Sequence, residues 1–298
     1  MKILLLGANG LIGSELQRDL KKLGDVKACT RSDIDMSNFC DIRSLLSVFS
    51  PQVIVNAAAY TSVDMAESEY EHARRINYEA VDVLARQAKH IGAWLIHFST
   101  DYVFDGTKRG AYVEDDIPNP INVYGKTKLD GENAIIHSGC AYTIFRTSWV
   151  VGPHGVNFVR SMLRLAQERE DLSVVADQFG APTSTQLISR VTLEVIEKLA
   201  QGVWPEGVFH LASQGEATWN EVARFVVGTA IELGVQTKLK MKNIKEIATS
   251  EYPAAAERPL NSTLSTEKIS KLLNFSLPRW ENGVSDVVER LSREQLTI

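Results

Sequence analysis

Cysteine, long apolar runs and excess positive charge are all scarce in this sequence. The three cysteines, Cys29, Cys40 and Cys140, have neither disulfide nor metal-site spacing, so we expect a reducing, cytoplasmic setting. The apolar run 3–6 is too short for a signal peptide or a membrane span, so no membrane partner is expected. The net charge of −5 gives no reason to expect nucleic acid as a partner.

Internal repeats and low-complexity tracts are absent as well, which argues against a solenoid or a disordered chain. The 298 residues, of which 44% are hydrophobic, can bury a sizeable core. Strand-like and helix-like patterns alternate as far as residue 150, which predicts an α/β fold with a doubly wound parallel sheet. We expect residues 1–150 to form a Rossmann-like dinucleotide-binding domain with a returning segment near 184–212. The remainder of 151–298 is expected to form a smaller α/β substrate-binding domain.

A glycine loop follows the first predicted strand. Lys2–Leu6 reads as a buried parallel strand, Gly7, Gly10 and Gly13 follow it, and residues 14–20 are helical in character. Glycines at such a turn let the backbone approach a pyrophosphate, whose charge is stabilised at the helix N-terminus. A glycine loop alone is a weak indication, but the strand before it and the helix after it make the prediction of a dinucleotide site strong.

The second predicted strand, 26–30, runs into Thr30-Arg31-Ser32. A carboxylate usually stands here to hold the ribose 2′-hydroxyl of NAD, and it is missing. The guanidinium of Arg31 suits a 2′-phosphate, although a solvated loop charge is an equally good interpretation. We therefore expect NADPH to be preferred, with NADH still usable.

Further elements are predicted from periodicity. The third strand, 51–56, ends in a run of small residues at 57–59, which either leaves room for a ligand or packs tightly. The other predicted strands are 93–99, 142–147 and 208–211, and the predicted helices are 38–49, 63–90, 219–233 and 266–273.

Tyr124 and Lys128 are four residues apart within the stretch 122–132. On a helix this spacing puts both on one face, about 6 Å apart along the axis. A nearby ammonium favours the phenolate, so the pKa of the tyrosine should fall from about 10 toward working pH. Such a tyrosine can give a proton to a carbonyl oxygen. Without other motifs, a tyrosine and a lysine at this spacing are more often ordinary polar residues on a helix surface.

The glycine loop, Ser99-Thr100 after a strand and Tyr124-x-x-x-Lys128, in that order, resemble the extended short-chain dehydrogenase/reductases. The resemblance implies that Tyr124 is the proton donor, that Lys128 lowers its pKa and holds the nicotinamide ribose, and that Thr100 adjusts the proton transfer. The other cofactor contacts that it implies are Gly7, Gly10, Leu11, Ile12, Gly13, Arg31, Asp35, Met36, Ala57, Ala59, Tyr60 and Thr61.

Within that family, the chain is similar to members that reduce the C4 ketone of a dTDP-4-keto-6-deoxy sugar. The similar stretches are 99–104, 145–150, 177–183 and 258–262. The resemblance implies a dTDP-sugar substrate contacted by Thr100, Asp101 and Trp149. A flat indole suits the face of a hexose, while a core tryptophan is an equally good interpretation from composition.

Some members of the family are homodimers bridged by Mg²⁺ between glutamates. Glu15 matches that pattern, but Gln186 stands where a second glutamate is expected. A neutral amide is a poorer ligand for a hard cation than a carboxylate, so we expect no metal site. A homodimer without the metal stays open.

Two other functions share these motifs. The regulatory subunit of methionine adenosyltransferase, which is not an enzyme, has the same fold and a very similar stretch at 124–132. Thr100 and the run 146–149 favour the reductase over it. Reduction or epimerisation of another nucleotide sugar also stays open, because fold alone does not specify the substrate.

Overall fold

A six-stranded parallel sheet organises the first half of the chain in the computed structural model, which describes residues 1–296. The strands of the described residues, including those outside this sheet, are β1 (Lys2–Leu6), β2 (Asp25–Cys29), β3 (Val53–Asn56), β4 (Trp94–Thr100), β5 (Tyr142–Thr147), β6 (Val150–Val151), β7 (Leu172–Val175), β8 (Phe179–Gly180), β9 (Thr183–Ser184), β10 (Gly207–His210), β11 (Ala217–Thr218) and β12 (Ile244–Ile247). The order in the sheet is β10-β5-β4-β3-β1-β2. The chain adds the edge strand β2 on one side of β1 and then β3, β4, β5 and β10 on the other side, which confirms the predicted doubly wound fold.

Helices cover both faces of the sheet and form much of the second half of the chain. Within the described residues they are α1 (Leu11–Asp19), α2 (Phe39–Phe49), α3 (Val63–Ala66), α4 (Tyr70–Arg74), α5 (Ala80–Ile91), α6 (Val123–Ser138), α7 (Phe158–Glu168), α8 (Thr185–Ala200), α9 (Trp219–Glu232), α10 (Glu267–Leu273) and α11 (Trp280–Leu296). Side chains cap several of them: Asn38, Asn122 and Ser184 each accept a hydrogen bond from a backbone N–H of the first turn. No helix within residues 1–296 is long and apolar enough to cross a bilayer.

The single helix predicted over 63–90 is wrong, because the chain leaves the helix between α3 and α4. The glutamates at this break bond to other elements: Glu67 accepts from the Val123 backbone N–H at 2.9 Å, and Glu69 accepts from the Tyr60 hydroxyl at 3.0 Å. These tertiary bonds outweigh the local helical preference of the segment.

A π-helical stretch, Arg75–Glu79, lies between α4 and α5. Asn77 points inward from this stretch, and only 1% of the residue is exposed. The Asn77 amide donates to the Tyr60 carbonyl and to the Thr127 hydroxyl, both at 3.1 Å. Insertions of this type are frequent at functional sites, and this one fastens α6 to the loop that follows β3.

The sheet is buried on both faces, as a parallel sheet requires. The apolar residues of β1 and β3 are almost fully inaccessible, in agreement with the unbroken apolar pattern of 3–6. The strand predicted at 208–211 pairs with β5, with Phe209 opposite Phe145.

A second core lies between α7, α9 and α11 and is bordered by the strand pairs β6–β9, β7–β12 and β8–β11. Helix α11 was missed in the sequence. Its signal is the apolar spacing of Val284, Val287, Val288 and Leu291, which places one stripe on the core.

A buried ion pair connects α6 to β5. Arg146 Nη2 lies 2.7 Å from Glu132 Oε2, and at most 5% of either side chain is exposed. The hydroxyl of Ser99, in β4, also donates to Glu132. Helix α6 is therefore fixed to both strands at their carboxyl ends.

Arg146→Met should lower the free energy of unfolding by about 3–5 kcal/mol, because it leaves the Glu132 carboxylate buried without its partner. Urea unfolding measures the change. The double variant Glu132→Gln/Arg146→Met removes both charges and should be less destabilised than the single variant. Equal or greater loss in the double variant would contradict the ion-pair interpretation.

Candidate active site

The glycine loop packs too closely for side chains at two of its positions. A Cβ on Gly13 would lie 2.0 Å from the Gly7 carbonyl oxygen, and a Cβ on Gly7, whose φ is +76°, would lie 2.7 Å from the Ala58 nitrogen. Gly10 precedes α1 in an extended conformation without a side-chain cap. The first N–H groups of α1 therefore have no intrahelical partner and can bind an anion.

A first cavity, of about 230 Å³, opens beside this loop. It is lined by Gly7, Asn9, Gly10, Thr30, Arg31, Ile34, Asp35, Met36, Ala57, Ala58, Ala59, Tyr60, His72 and Ile76. Most of the cofactor contacts implied by the resemblance thus line this one cavity. His72 and Ile76 were missed, because they come from α4 and the π-helical stretch, whose position no local pattern specifies.

Two carboxylates, Asp33 and Asp35, follow Thr30-Arg31-Ser32 in the chain. Asp33 turns back and accepts from the Thr30 backbone N–H and hydroxyl at 2.8 and 2.7 Å. Asp35 lines the cavity itself, and its pKa is lowered by hydrogen bonds from Ser37, with Arg31 adding to the effect. The positive charge of Arg31 therefore faces the cavity beside a carboxylate rather than alone.

A second cavity, of about 440 Å³, continues from the first along the carboxyl edge of the sheet. The two share Gly10, Ala57, Ala58 and Ala59. The second is further lined by Leu11, Ile12, Thr61, Val63, Phe98, Ser99, Thr100, Asp101, Tyr102, Tyr124, Lys128, Thr147, Trp149, Val150, Val156 and Trp219. Ligands of doubly wound sheets bind at this edge. Gly13 lines neither cavity and instead permits the close packing of the loop.

Tyr124 and Lys128 lie on α6 as predicted, but the pKa expected for the phenol is wrong. Burial raises the pKa of Tyr124 to about 12, and a hydrogen bond with Thr100 only partly offsets this. The Lys128 Nζ is directed to the Phe98 carbonyl oxygen, 2.6 Å away, and to His97 Nε2, 3.1 Å away. Loss of water around the phenol therefore dominates over any effect of the lysine.

Asp101 is almost fully buried at the end of β4, with 2% of the residue exposed. It accepts from the hydroxyls of Thr100, at 2.9 Å, and Ser148, at 3.0 Å. Burial raises the pKa of this carboxyl to about 6. Asp101 lines the cavity, but its oxygens are engaged by protein hydroxyls and hold Thr100 in place.

Trp149 belongs both to the second core and to the cavity wall. It stacks on Trp219 with ring centroids 3.6 Å apart, and a Cβ on Gly180 would lie 2.5 Å from its indole. Both interpretations of this tryptophan therefore describe part of its environment. Trp219 was missed as a cavity residue, since 70 positions separate it from Trp149 in the chain.

Thr147 was also missed. It pairs with Thr100 across β4 and β5, and its buried hydroxyl has no hydrogen-bond partner among the described residues. Buried hydroxyls are usually paired, so this one is available to a ligand. The argument from strand ends that singled out Thr100 would have found Thr147.

Glu15, the residue that matches the Mg²⁺ pattern, is engaged in ion pairs within the chain. Glu15 is 1% exposed, and its carboxylate accepts from Arg290 at 2.7 Å and from Arg18 at 3.1 Å. Gln186 is exposed on α8. Over the described residues, no cluster of three or more His, Cys, Asp or Glu side chains could hold a metal ion.

The fold and the arrangement of Thr100, Tyr124 and Lys128 beside the glycine loop are those of an extended short-chain dehydrogenase/reductase. More narrowly, the chain belongs to the family described as the RmlD substrate binding domain, whose model matches residues 1–293. It is 42% identical to dTDP-4-dehydrorhamnose reductase of Burkholderia thailandensis, over 98% of this chain and 99% of that protein. The resemblance noted in the sequence is confirmed.

Solved structures agree with this assignment. A dTDP-4-dehydrorhamnose reductase from Bacillus anthracis, in complex with NADP, has a TM-score of 0.87 at 34% identity and is covered over 99% of its length by 98% of this chain. A second, from Clostridium acetobutylicum, has a TM-score of 0.88 at 35% identity with the same coverage.

The buried carboxyl of Asp101 predicts a pH-dependent stability. Its folded pKa of about 6 lies above the ordinary pKa of an aspartate, so its contribution is present at low pH and is lost as the pH rises toward and through 6. A shift of about two units corresponds to about 3 kcal/mol. Asp101→Asn should therefore gain stability relative to wild type between pH 4 and pH 8, by up to about 3 kcal/mol in urea unfolding.

Asp105→Asn is the matched control for that measurement. Hydrogen bonds from Thr107 and Asn119 hold the pKa of the Asp105 carboxyl well below its usual range. Its contribution is present at neutral pH and is lost in acid, so this variant should lose stability relative to wild type as the pH rises. The same trend in both variants would contradict the role assigned to the burial of Asp101.

Proposed function

We propose that this chain catalyses the NAD(P)H-dependent reduction of the C4 ketone of dTDP-4-dehydro-6-deoxy-L-mannose to dTDP-L-rhamnose. The observation that carries the proposal is the meeting of Thr100, Tyr124 and Lys128 in a cavity that continues into the glycine-loop cavity. The chain is also similar over nearly its whole length to proteins with the name of that reductase. A regulatory subunit without activity is not favoured by any feature of the site.

The proton is supplied by Tyr124. When bound, the nicotinamide supplies the hydride. The raised pKa of Tyr124 keeps the phenol protonated at neutral pH, so it can donate to the oxygen of the ketone as that oxygen gains charge. Thr100 hydrogen-bonds the phenol and is itself held by Asp101, which orients the donor.

Binding of the dinucleotide is assigned to the two connected cavities. The N-terminus of α1 and the glycine loop would hold the pyrophosphate, because Gly10, Leu11 and Ile12 line the second cavity and the first N–H groups of α1 have no intrahelical partner. Arg31, Asp35 and Met36 would surround the adenosine half, and Lys128 would hold the nicotinamide ribose. We propose NADPH as the preferred cofactor, with NADH usable because the remaining contacts are shared.

The sugar nucleotide is assigned to the other wall of the second cavity. Trp149 and Trp219 would cover the hexose, and the unpaired hydroxyl of Thr147 would hydrogen-bond it. Residues 1–150, with the segment near 184–212, would then form the cofactor-binding unit. The pairing of β10 with β5 supports that division.

Reduction is tested by following NADPH absorbance after addition of dTDP-4-dehydro-6-deoxy-L-mannose to the purified protein. Tyr124→Phe keeps the ring but removes the donor, so turnover should fall by at least about a hundredfold while cofactor binding survives. Tyr142→Phe, at the far end of β5, is the control and should keep wild-type turnover. No NADPH consumption by the wild type, or near-normal turnover by Tyr124→Phe, would refute the assignment.

Arg31→Ala tests the cofactor preference. A charge-assisted hydrogen bond contributes about 1.5–3 kcal/mol, so the Michaelis constant for NADPH should rise about ten- to a hundredfold while that for NADH changes little. Steady-state titrations of both cofactors measure this. Arg43→Ala removes an exposed charge from α2 and should alter neither constant. Equal effects of Arg31→Ala on both cofactors would mean that Arg31 is an ordinary loop charge.

A further inference from the structure

A buried chain of polar groups runs behind the second cavity from β3 to α6. The Ala58 backbone N–H donates to Asn56 Oδ1 at 3.2 Å, and Asn56 Nδ2 lies 3.1 Å from His97 Nδ1. His97 Nε2 lies 3.1 Å from Lys128 Nζ, which also reaches the Phe98 carbonyl oxygen at 2.6 Å. The residues Asn56, His97 and Lys128 are at most 1% exposed. Donors and acceptors in this chain must therefore match one another.

The proton on the His97 ring can be assigned from these contacts. Rotating the Asn56 amide would set its NH₂ group against the N–H of Ala58, two donors facing each other, so Nδ2 faces the ring. An amide nitrogen only donates, and therefore Nδ1 accepts and the single proton of the neutral ring lies on Nε2. Burial lowers the pKa of His97 well below its usual value, and the charge of Lys128 lowers it further. The ring therefore stays neutral.

The Nε2–H of His97 faces Lys128 Nζ, which restricts the lysine. An ammonium has three donors and no acceptor, whereas a neutral amine has a lone pair that can accept from Nε2–H. The amine still donates to the Phe98 carbonyl. If Lys128 takes up a proton, the ring proton must move to Nδ1, and the bond with Asn56 is lost.

We propose that His97 is a positioning residue that acts through Lys128. Its tautomer, set by Asn56, favours the neutral amine of the lysine, and protonation of the lysine switches the tautomer. Asn56 and His97 then set the pH at which Lys128 presents a positive charge to Tyr124 and to a bound ribose. Neither residue lines the second cavity.

The charged and titratable groups around Lys128 are consistent with a lysine poised between its two states. His97 from β4 lies against Lys128, and Asp101 and Tyr124 line the same cavity as the lysine. Glu132, one turn further along α6, acts on the charge of the lysine and is itself paired with Arg146 of β5. Burial lowers the pKa of Lys128 to about 8, and Glu132 acts in the opposite direction. The pairing of Glu132 with Arg146 weakens that opposing effect.

Nitrogen-15 NMR of the histidine-labelled wild-type protein tests the proposal directly, because the two ring nitrogens report which one is protonated. The chain has six histidines. The signals that are present in the wild type and absent in His97→Gln are assigned to the His97 ring. We expect protonation of Nε2 well above pH 8 and a shift to Nδ1 below it, without an imidazolium. In Lys128→Met the Nε2 tautomer should persist at every pH. A wild-type ring protonated at Nδ1 throughout, or an unchanged transition in Lys128→Met, would overturn the proposal.

The pH dependence of turnover gives a second readout, and it rests on the proposed function. In Asn56→Asp the carboxylate keeps the bond from Ala58 but accepts from Nδ1–H, so Nε2 becomes an acceptor for the ammonium. The limb of the pH–rate profile that reports the protonation of Lys128 should move to higher pH by about one unit or more. The same substitution in a His97→Gln background should move it much less.

Equal shifts in both backgrounds would show a direct effect of the new charge and would refute a role for His97. Absence of turnover in the wild type would refute the proposed function alone, because the NMR experiment needs no substrate.

Discussion

The close approach of α6 to the carboxyl end of β4 is the constraint on which the site depends. Gly125 allows it, since a Cβ there would lie 2.1 Å from the Tyr102 carbonyl oxygen in the turn after β4. Gly131 allows the same helix to approach the π-helical stretch, since a Cβ there would lie 2.2 Å from the Asn77 carbonyl oxygen. The helix then places Glu132 in the buried layer against the sheet, and the carboxylate is compensated there by the ion pair with Arg146. The same approach brings Tyr124 to Thr100 and removes water from both.

Removal of water shifts the protonation equilibria of the site in one direction. It raises the pKa of Tyr124 and of Asp101 and lowers the pKa of Lys128 and of His97. In every case the neutral form gains, as burial in a medium of low polarity requires. A neutral phenol suits the direction of the proposed reaction, since reduction of a ketone consumes a proton.

The second half of the chain completes the cavity that the sheet opens. Trp149 follows β5 directly, yet its orientation depends on Trp219 and on the space left by Gly180. This wall of the second cavity is therefore assembled from segments far apart in the chain. If the sugar binds there as proposed, changes in this wall would alter the sugar that fits without disturbing the glycine loop, since fold alone does not specify the substrate.

The sequence by itself determined the parallel sheet, the glycine loop and the placing of Tyr124 and Lys128 on one helix, because each follows from a local period or from the sterics of one residue type. Only the tertiary structure decided the protonation of Tyr124, the partner of Lys128 and the cavity faces of Thr147 and Trp219. It also broke the helix predicted over 63–90. Burial and hydrogen-bond partners arise from residues distant in the chain, and no pattern within a segment contains them.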